Sequence, residues 1–229
     1  MDVIITGCSR GIGFELSRIF ATDSSCRVLA ISRTMKGLSD LKKLFPNTLF
    51  PFQDDITSAD FINHLCLRLD ELHFAPSLLI NNAGLLVNKG FESLTANNLD
   101  DMMNVNLKSP FLLIQALMPY FHKPAHIVNI GSMGGFQGSV KFPGLSLYSA
   151  SKAALAALTE CLAVELQGTD IHVNCLAIGS AQTEMLEEAF PGYVSPVSAR
   201  EMATFIHQFA LSGHRFFNGK VIPVSSTTP

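Results

Sequence analysis

The chain has few of the features that announce a partner. No basic stripe runs through it: only 15% of residues are charged and the net charge is −3, a balance that argues against nucleic acid as a ligand. Its five cysteines, at positions 8, 26, 66, 161 and 175, form no CxxC pair and no metal-ligand spacing, and their number is odd. Reduced core thiols are the expectation. The seven histidines are equally scattered, and Pro124 separates His122 from His126 so that they cannot share a helical face, which leaves no metal site to assign. Long apolar runs are also missing. The strongest, around Phe111 to Phe121, is too short to span a bilayer and is broken by Gln115 and Pro119, so no membrane partner is expected. The first residues, Met1-Asp2-Val3, lack the basic start of a secretory signal, and a soluble, cytoplasmic protein is expected.

What remains is a chain of 229 residues, 48% hydrophobic, with the apolar residues spread evenly and no linker or repeat. One domain over 1–229 is expected. Short β-rich runs alternate with longer helical patterns. Strands are predicted at Val3–Thr6, Arg27–Ile31, Thr48–Phe52, Ser77–Ile80, Ala125–Ile130, Ile171–Ala177 and Lys220–Val224. Several lack polar alternation, as strands buried on both faces do. Helices are predicted at 11–22, 38–44, 58–71, 95–121, 146–167 and 198–211, with a shorter piece at 183–189. The alternation predicts an α/β fold, a doubly wound parallel sheet with helices on both faces. In such a sheet ligands bind at the carboxyl ends of the strands.

Several motifs fall there. Gly7, Ser9, Arg10, Gly11, Ile12 and Gly13 follow the first strand and open the next helix, where glycines permit a tight turn and free N–H groups attract a pyrophosphate. The second strand leads into Ser32-Arg33-Thr34 and not into an acid that would hold a ribose 2′-hydroxyl. Arg33, with Arg10 approaching from the glycine turn, suits a 2′-phosphate, hence NADP over NAD. After the third strand, Asp55 could accept from an adenine amino group while Ile56 covers the ring. After the fourth come Asn82, Ala83 and Gly84. A strand-end Asp or Asn is most often a turn or cap, so these segments gain weight only beside the glycine loop.

Two further groups concern protons. Tyr148 and Lys152 are four residues apart and share one helical face, and an ammonium beside a phenol favours the phenolate. Ser132 lies just past the fifth strand, where its hydroxyl could bind the carbonyl oxygen that Tyr148 protonates; Ser139 and Ser146 compete for that role. Asn106 stands four residues before Pro110, which has no N–H. Its carbonyl is therefore left free to hold water, and the helix should kink there.

Together these segments closely resemble the short-chain dehydrogenase/reductase family along nearly the whole chain. The resemblance rests on the TGxxxGxG turn at Gly7, Gly11 and Gly13, the NNAG segment at Asn81 to Gly84, and the YxxxK pair at Tyr148 and Lys152. It implies hydride transfer between NADP(H) and a small-molecule carbonyl or alcohol, with Asn106, Ser132, Tyr148 and Lys152 as the catalytic set. Lys152 would also bind ribose, and Arg10 and Arg33 look like the NADP-preferring pattern. Gly179 and Thr183, in Ile178-Gly179 and beyond, match the family's segment beside the carboxamide, although its Pro-Gly is Ile-Gly here. A homodimer or homotetramer is implied, with the small-residue helix from Ala150 to Ala163 as one candidate contact. Two other functions were weighed: a 3-oxoacyl thioester reductase, which would call for a basic patch that 184–197 lacks, and an NADP-sensing regulatory protein without turnover.

Overall fold

The computed structural model describes residues 1–225. Seven parallel strands form one sheet: β1 (Asp2–Thr6), β2 (Arg27–Ser32), β3 (Leu49–Gln53), β4 (Pro76–Asn81), β5 (Ala125–Ser132), β6 (Ile171–Ile178) and β7 (Val221–Val224). Their order is β3-β2-β1-β4-β5-β6-β7. The chain reverses its winding between β1 and β4, which opens a crevice at their carboxyl ends. Every predicted strand is present.

Alternate residues of these strands feed two cores. On one face Val3, Ile5, Val28 and Ile80 pack against Leu16 and Phe20 of α1 (Gly11–Thr22), Leu38 and Leu41 of α2 (Leu38–Leu44), and Met202 and Ile206 of α8 (Ala199–Ser212). On the other, Ile4, Leu29, Leu79 and Ile127 meet Phe61, Leu65 and Leu69 of α3 (Phe61–Leu72) and Leu113 and Leu117 of α5 (Ser109–Leu117). Truncating a fully buried ring such as Phe20 or Phe61 to alanine would cost about 3–5 kcal/mol. A sheet covered on both faces explains why its strands read as continuous apolar runs.

The predicted helix over 95–121 is resolved into three pieces: α4 (Ala96–Met103), a π turn (Asn104–Lys108) and α5. Pro110 cannot donate to the carbonyl four residues back, and the backbone answers with longer links. The Ser109 N–H bonds to the Asn104 carbonyl, which also accepts the Ser109 hydroxyl at 2.8 Å. The expected kink is thus a bulge inside a continuous helical path.

α6 (Ser146–Glu165) is the one described helix long and apolar enough, by composition, to cross a membrane. It packs instead along β5 and β6, burying Ser151, Lys152, Leu155 and Thr159. α7 (Glu184–Ala189) is a six-residue helix capped by Thr183.

Candidate active site

Glycine sets the shape of the loop between β1 and α1. Gly7 has φ +75° and Gly11 φ +56°, and a Cβ on Gly7 would stand 2.8 Å from the Ala83 Cα. A Cβ on Gly13 would stand 2.2 Å from the Gly7 carbonyl oxygen, so Gly13 supports the loop from beneath and does not line it. The segment after β4 holds this loop. Thr6 Oγ1 accepts from the Asn82 and Ala83 N–H groups at 3.1 and 3.0 Å, and Asn82 Nδ2 donates to the Thr6 and Gly7 carbonyls at 2.9 and 3.3 Å. α1 has no side-chain N-cap, so its first N–H groups remain available to an anion. A cavity of about 540 Å³ lies here, lined by Gly7, Ser9, Arg10, Gly11 and Ile12 on one side and Asn82, Ala83 and Gly84 on the other. The glycine cradle and the uncapped helix fit a dinucleotide's pyrophosphate.

Arg33, Asp55 and Ile56 line the same cavity at the ends of β2 and β3. Arg33 is exposed and makes no ion pair among the described residues. Asp55 is partly buried, which raises its pKa, but the Thr57 N–H and hydroxyl and the Arg33 charge outweigh this and hold it below the usual carboxylate value. Arg10 departs from expectation. It lines the cavity, yet its guanidinium grips both carboxylate oxygens of Glu188 on α7, Nη2 to Oε2 at 2.9 Å. The pair is exposed, and a 2′-phosphate would have to compete with Glu188 for Arg10.

Tyr148 and Lys152 sit on the first turns of α6, facing the end of β5. The Ser132 hydroxyl faces the Tyr148 phenol closely enough to pull its pKa down, and it accepts the Gly134 N–H at 3.1 Å. The competing serines are placed elsewhere. Ser139 is buried, gives its proton to the Met133 carbonyl region and accepts from Lys141 Nζ, while Ser146 is exposed at the start of α6. Of the three, Ser132 alone meets Tyr148.

The phenol and the ammonium do not act on each other as their spacing suggests. Lys152 Nζ donates to the Ile130 carbonyl at 2.8 Å and lies 6.0 Å from the centre of the Tyr148 ring. Burial raises the Tyr148 pKa, offset only in part by Ser132, and burial drives Lys152 down to about 8. Removing both groups from water favours their neutral forms. In this structure Tyr148 is therefore a firmly protonated donor.

Asn106 lies in the π turn, fully buried. Its Oδ1 accepts the Leu85 N–H at 2.8 Å, and its two amide hydrogens go to the Leu85 carbonyl and Ser151 Oγ, both at 2.9 Å. The side chain thereby ties the strand-end segment to α6. Only its backbone carbonyl is left for a proton path. Gly84 closes this corner: a Cβ there would stand 3.5 Å from both Asn106 Oδ1 and Lys152 Nζ.

A second cavity, about 590 Å³, opens on the other side of Tyr148 and contains Ser132. Its walls include Met133, Val140, Phe142, Leu186 and Phe190, and it shares Ile12, Ile178, Thr183 and Met185 with the first. Gly179, expected beside the cofactor, belongs to this second wall, its N–H bonded to the Val224 carbonyl at 2.8 Å. Thr183 spans both cavities, but its hydroxyl caps α7 through the Leu186 N–H at 3.2 Å, which occupies one lone pair of the group expected to meet a carboxamide. The sequence motifs do not mark Asp101 and Asn104, which line the first cavity five and two residues before Asn106, or Lys141, which shapes the serine loop. The spacing to Asn106 could have pointed to the first two; nothing local marks Lys141.

Comparison with known proteins agrees with this architecture. Residues 2–193 match the short chain dehydrogenase family. A 3-oxoacyl-(acyl-carrier-protein) reductase of Thermotoga maritima is 32% identical over 87% of this chain and 79% of its own length. The rhamnolipid-biosynthesis 3-oxoacyl-(acyl-carrier-protein) reductase of Pseudomonas aeruginosa is 29% identical over 96% of this chain and 93% of its own. Among solved structures, a 4-hydroxyisoleucine dehydrogenase complexed with NADH superposes with a TM-score of 0.87 at 26% identity, covering 98% of this chain and 96% of that one. A short chain dehydrogenase from Burkholderia cenocepacia in complex with NADP gives 0.85 at 25% identity, covering 97% and 95%. With its parallel sheet, its glycine cradle and a Tyr148/Lys152 helix beside them, the chain belongs to the short chain dehydrogenase family, oxidoreductases of alcohol and carbonyl groups.

Proposed function

We propose that this oxidoreductase is an NADP(H)-dependent carbonyl reductase and alcohol dehydrogenase in which Tyr148 is the general acid and base. The observation that carries the reading is the position of Tyr148, shared by both cavities and facing Ser132. A bound nicotinamide dinucleotide supplies or takes up the hydride. Gly7, Gly11 and the start of α1 hold its pyrophosphate, Arg33 receives a 2′-phosphate, and Asp55 with Ile56 borders the adenine. Ser132 donates to the carbonyl oxygen and fixes its direction, and Tyr148 delivers the proton to that oxygen as charge develops. Lys152 stands behind Tyr148 for the ribose, with the Asn106 carbonyl as the route by which a water returns the proton.

Replacing Tyr148 with phenylalanine should lower kcat about a hundredfold to ten-thousandfold and leave NADPH affinity within about twofold, the range that general acid catalysis of this kind contributes. Retention of full turnover by that variant would overturn the assignment. A 3-oxoacyl carrier-protein substrate is disfavoured: α7, beside the pocket, carries Glu184 and Glu187 besides the Glu188 paired with Arg10, and would repel an acidic carrier. As an assembly, a homo-oligomer fits the outward face of α6, where Ala150, Ala153 and Ala157 are exposed while Ser151, Lys152, Leu155 and Thr159 face the sheet. Light scattering that reports a monomer at every concentration would remove this contact.

A further inference from the structure

Resting on the carbonyl reductase reading, we infer that the natural substrates are uncharged, largely apolar carbonyl compounds and that carboxylate-bearing ones are excluded. The second cavity carries the argument. None of the side chains that line it is charged.

Most of the hydroxyl groups there are already engaged. Ser132 and Tyr148 are committed to the carbonyl oxygen. Ser180 Oγ pairs with Tyr193 OH and Ser195 Oγ, each at 3.2 Å, and Thr183 Oγ1 accepts the Leu186 N–H, which leaves that hydroxyl a single proton to offer. A carboxylate entering this space would lose its hydration without gaining a cation or a set of free donors. Burying an unpaired ion is the most expensive form of desolvation.

The cations nearest the cavity are each accounted for. Lys141 lies between two lining residues, Val140 and Phe142, but its ammonium turns inward to the Gly134 carbonyl, the Phe136 carbonyl and Ser139 Oγ at 2.9, 2.7 and 2.9 Å. Three acceptors use all three of its hydrogens. Lys152 is buried against the Ile130 carbonyl in the other cavity, and Arg10 is held by Glu188. Meanwhile Glu184 and Glu187 make the flanking helix acidic. An anion meets repulsion on approach and no partner inside.

The test compares two aldehydes of matched shape, 4-isopropylbenzaldehyde and 4-carboxybenzaldehyde, in kcat/KM with NADPH and in calorimetric binding to the NADP⁺-loaded enzyme, where no turnover occurs. The neutral aldehyde should be favoured at least thirtyfold in both. Phe142→Arg, and separately Phe190→Arg, should narrow that ratio at least tenfold by placing a cation on the wall. Equal use of the two aldehydes, or preference for the carboxylate, would overturn the inference. The two readings fail separately. Discrimination in binding without turnover of either aldehyde leaves the pocket inference standing and counts against the proposed reaction, whereas Tyr148-dependent turnover of both aldehydes alike does the reverse.

Discussion

The two cavities that share Tyr148 are built from different materials. The first is bounded largely by strand ends and the segments that follow them, and it contains charged groups, of which Arg33 and Asp55 stand where β2 and β3 stop. The second is bounded by the loop 133–145 and α7, and its lining holds only apolar and hydroxyl-bearing side chains and backbone. The sheet dictates one and loop sequence dictates the other. A site that must hold one fixed dinucleotide can be anchored in the rigid scaffold, whereas a site for a variable partner is left to segments that can change without disturbing it.

The comparison can be broken most severely at Gly13. Gly13→Ala would force a methyl to within 2.2 Å of the Gly7 oxygen. NADPH binding should be abolished, with a loss of stability of about 2 kcal/mol or more as the loop lifts off Asn82. Calorimetry and a urea midpoint check both; a variant that binds normally would show that the cradle is not what holds the cofactor. Next comes the serine. Ser132→Ala should reduce kcat/KM about a hundredfold or more with NADPH affinity unchanged, whereas Ser139→Ala should cost about 1 kcal/mol of stability and little activity. A reversal of these two phenotypes would move the catalytic serine to 139.

Arg33→Ala sharpens the cofactor side. Losing charge-assisted bonds to a 2′-phosphate should raise the KM for NADPH about tenfold to a hundredfold and leave that for NADH unchanged. Equal losses for both cofactors would mean that Arg33 does not distinguish them. The smallest effect expected is on folding. Lys152 has its pKa lowered from 10.5 to about 8, so below pH 8 the folded state carries a buried charge that opposes folding. As pH rises from 8 towards 10.5 the unfolded chain holds more of that proton than the folded one, and stability recovers. Lys152→Met should therefore be the more stable protein at pH 7 by a few kcal/mol at most, with the gap closing above pH 8 in denaturant titrations.

The same division explains what could be read in advance. All seven strands were legible because runs such as Val28 to Ile31 and Leu78 to Ile80 are apolar on both faces, and the glycine loop because its φ values exclude most other residues. The helix over 95–121 was read as unbroken apart from a bend, since proline marks a lost hydrogen bond without saying which longer link replaces it. Arg10 was read toward phosphate, and no local pattern could reveal that Glu188, far along the chain, takes its guanidinium. Ser132, Ser139 and Ser146 were not separable by spacing; their partners, Tyr148, Lys141 and solvent, separated them. Tyr148 and Lys152 were placed correctly on one face, but burial, which no motif encodes, sets their proton affinities.

Lys141 ties the chain from Gly134 to Ser139 into a small closed ring through its three hydrogen bonds. The ring also rests on α6, where a Cβ on Gly135 would stand 2.6 Å from the Ala153 nitrogen, whereas Val140 and Phe142 are both more than half exposed. Side chains at 140 and 142 can therefore vary at the mouth of the second cavity while the three bonds of Lys141 hold the backbone between them and Ser132.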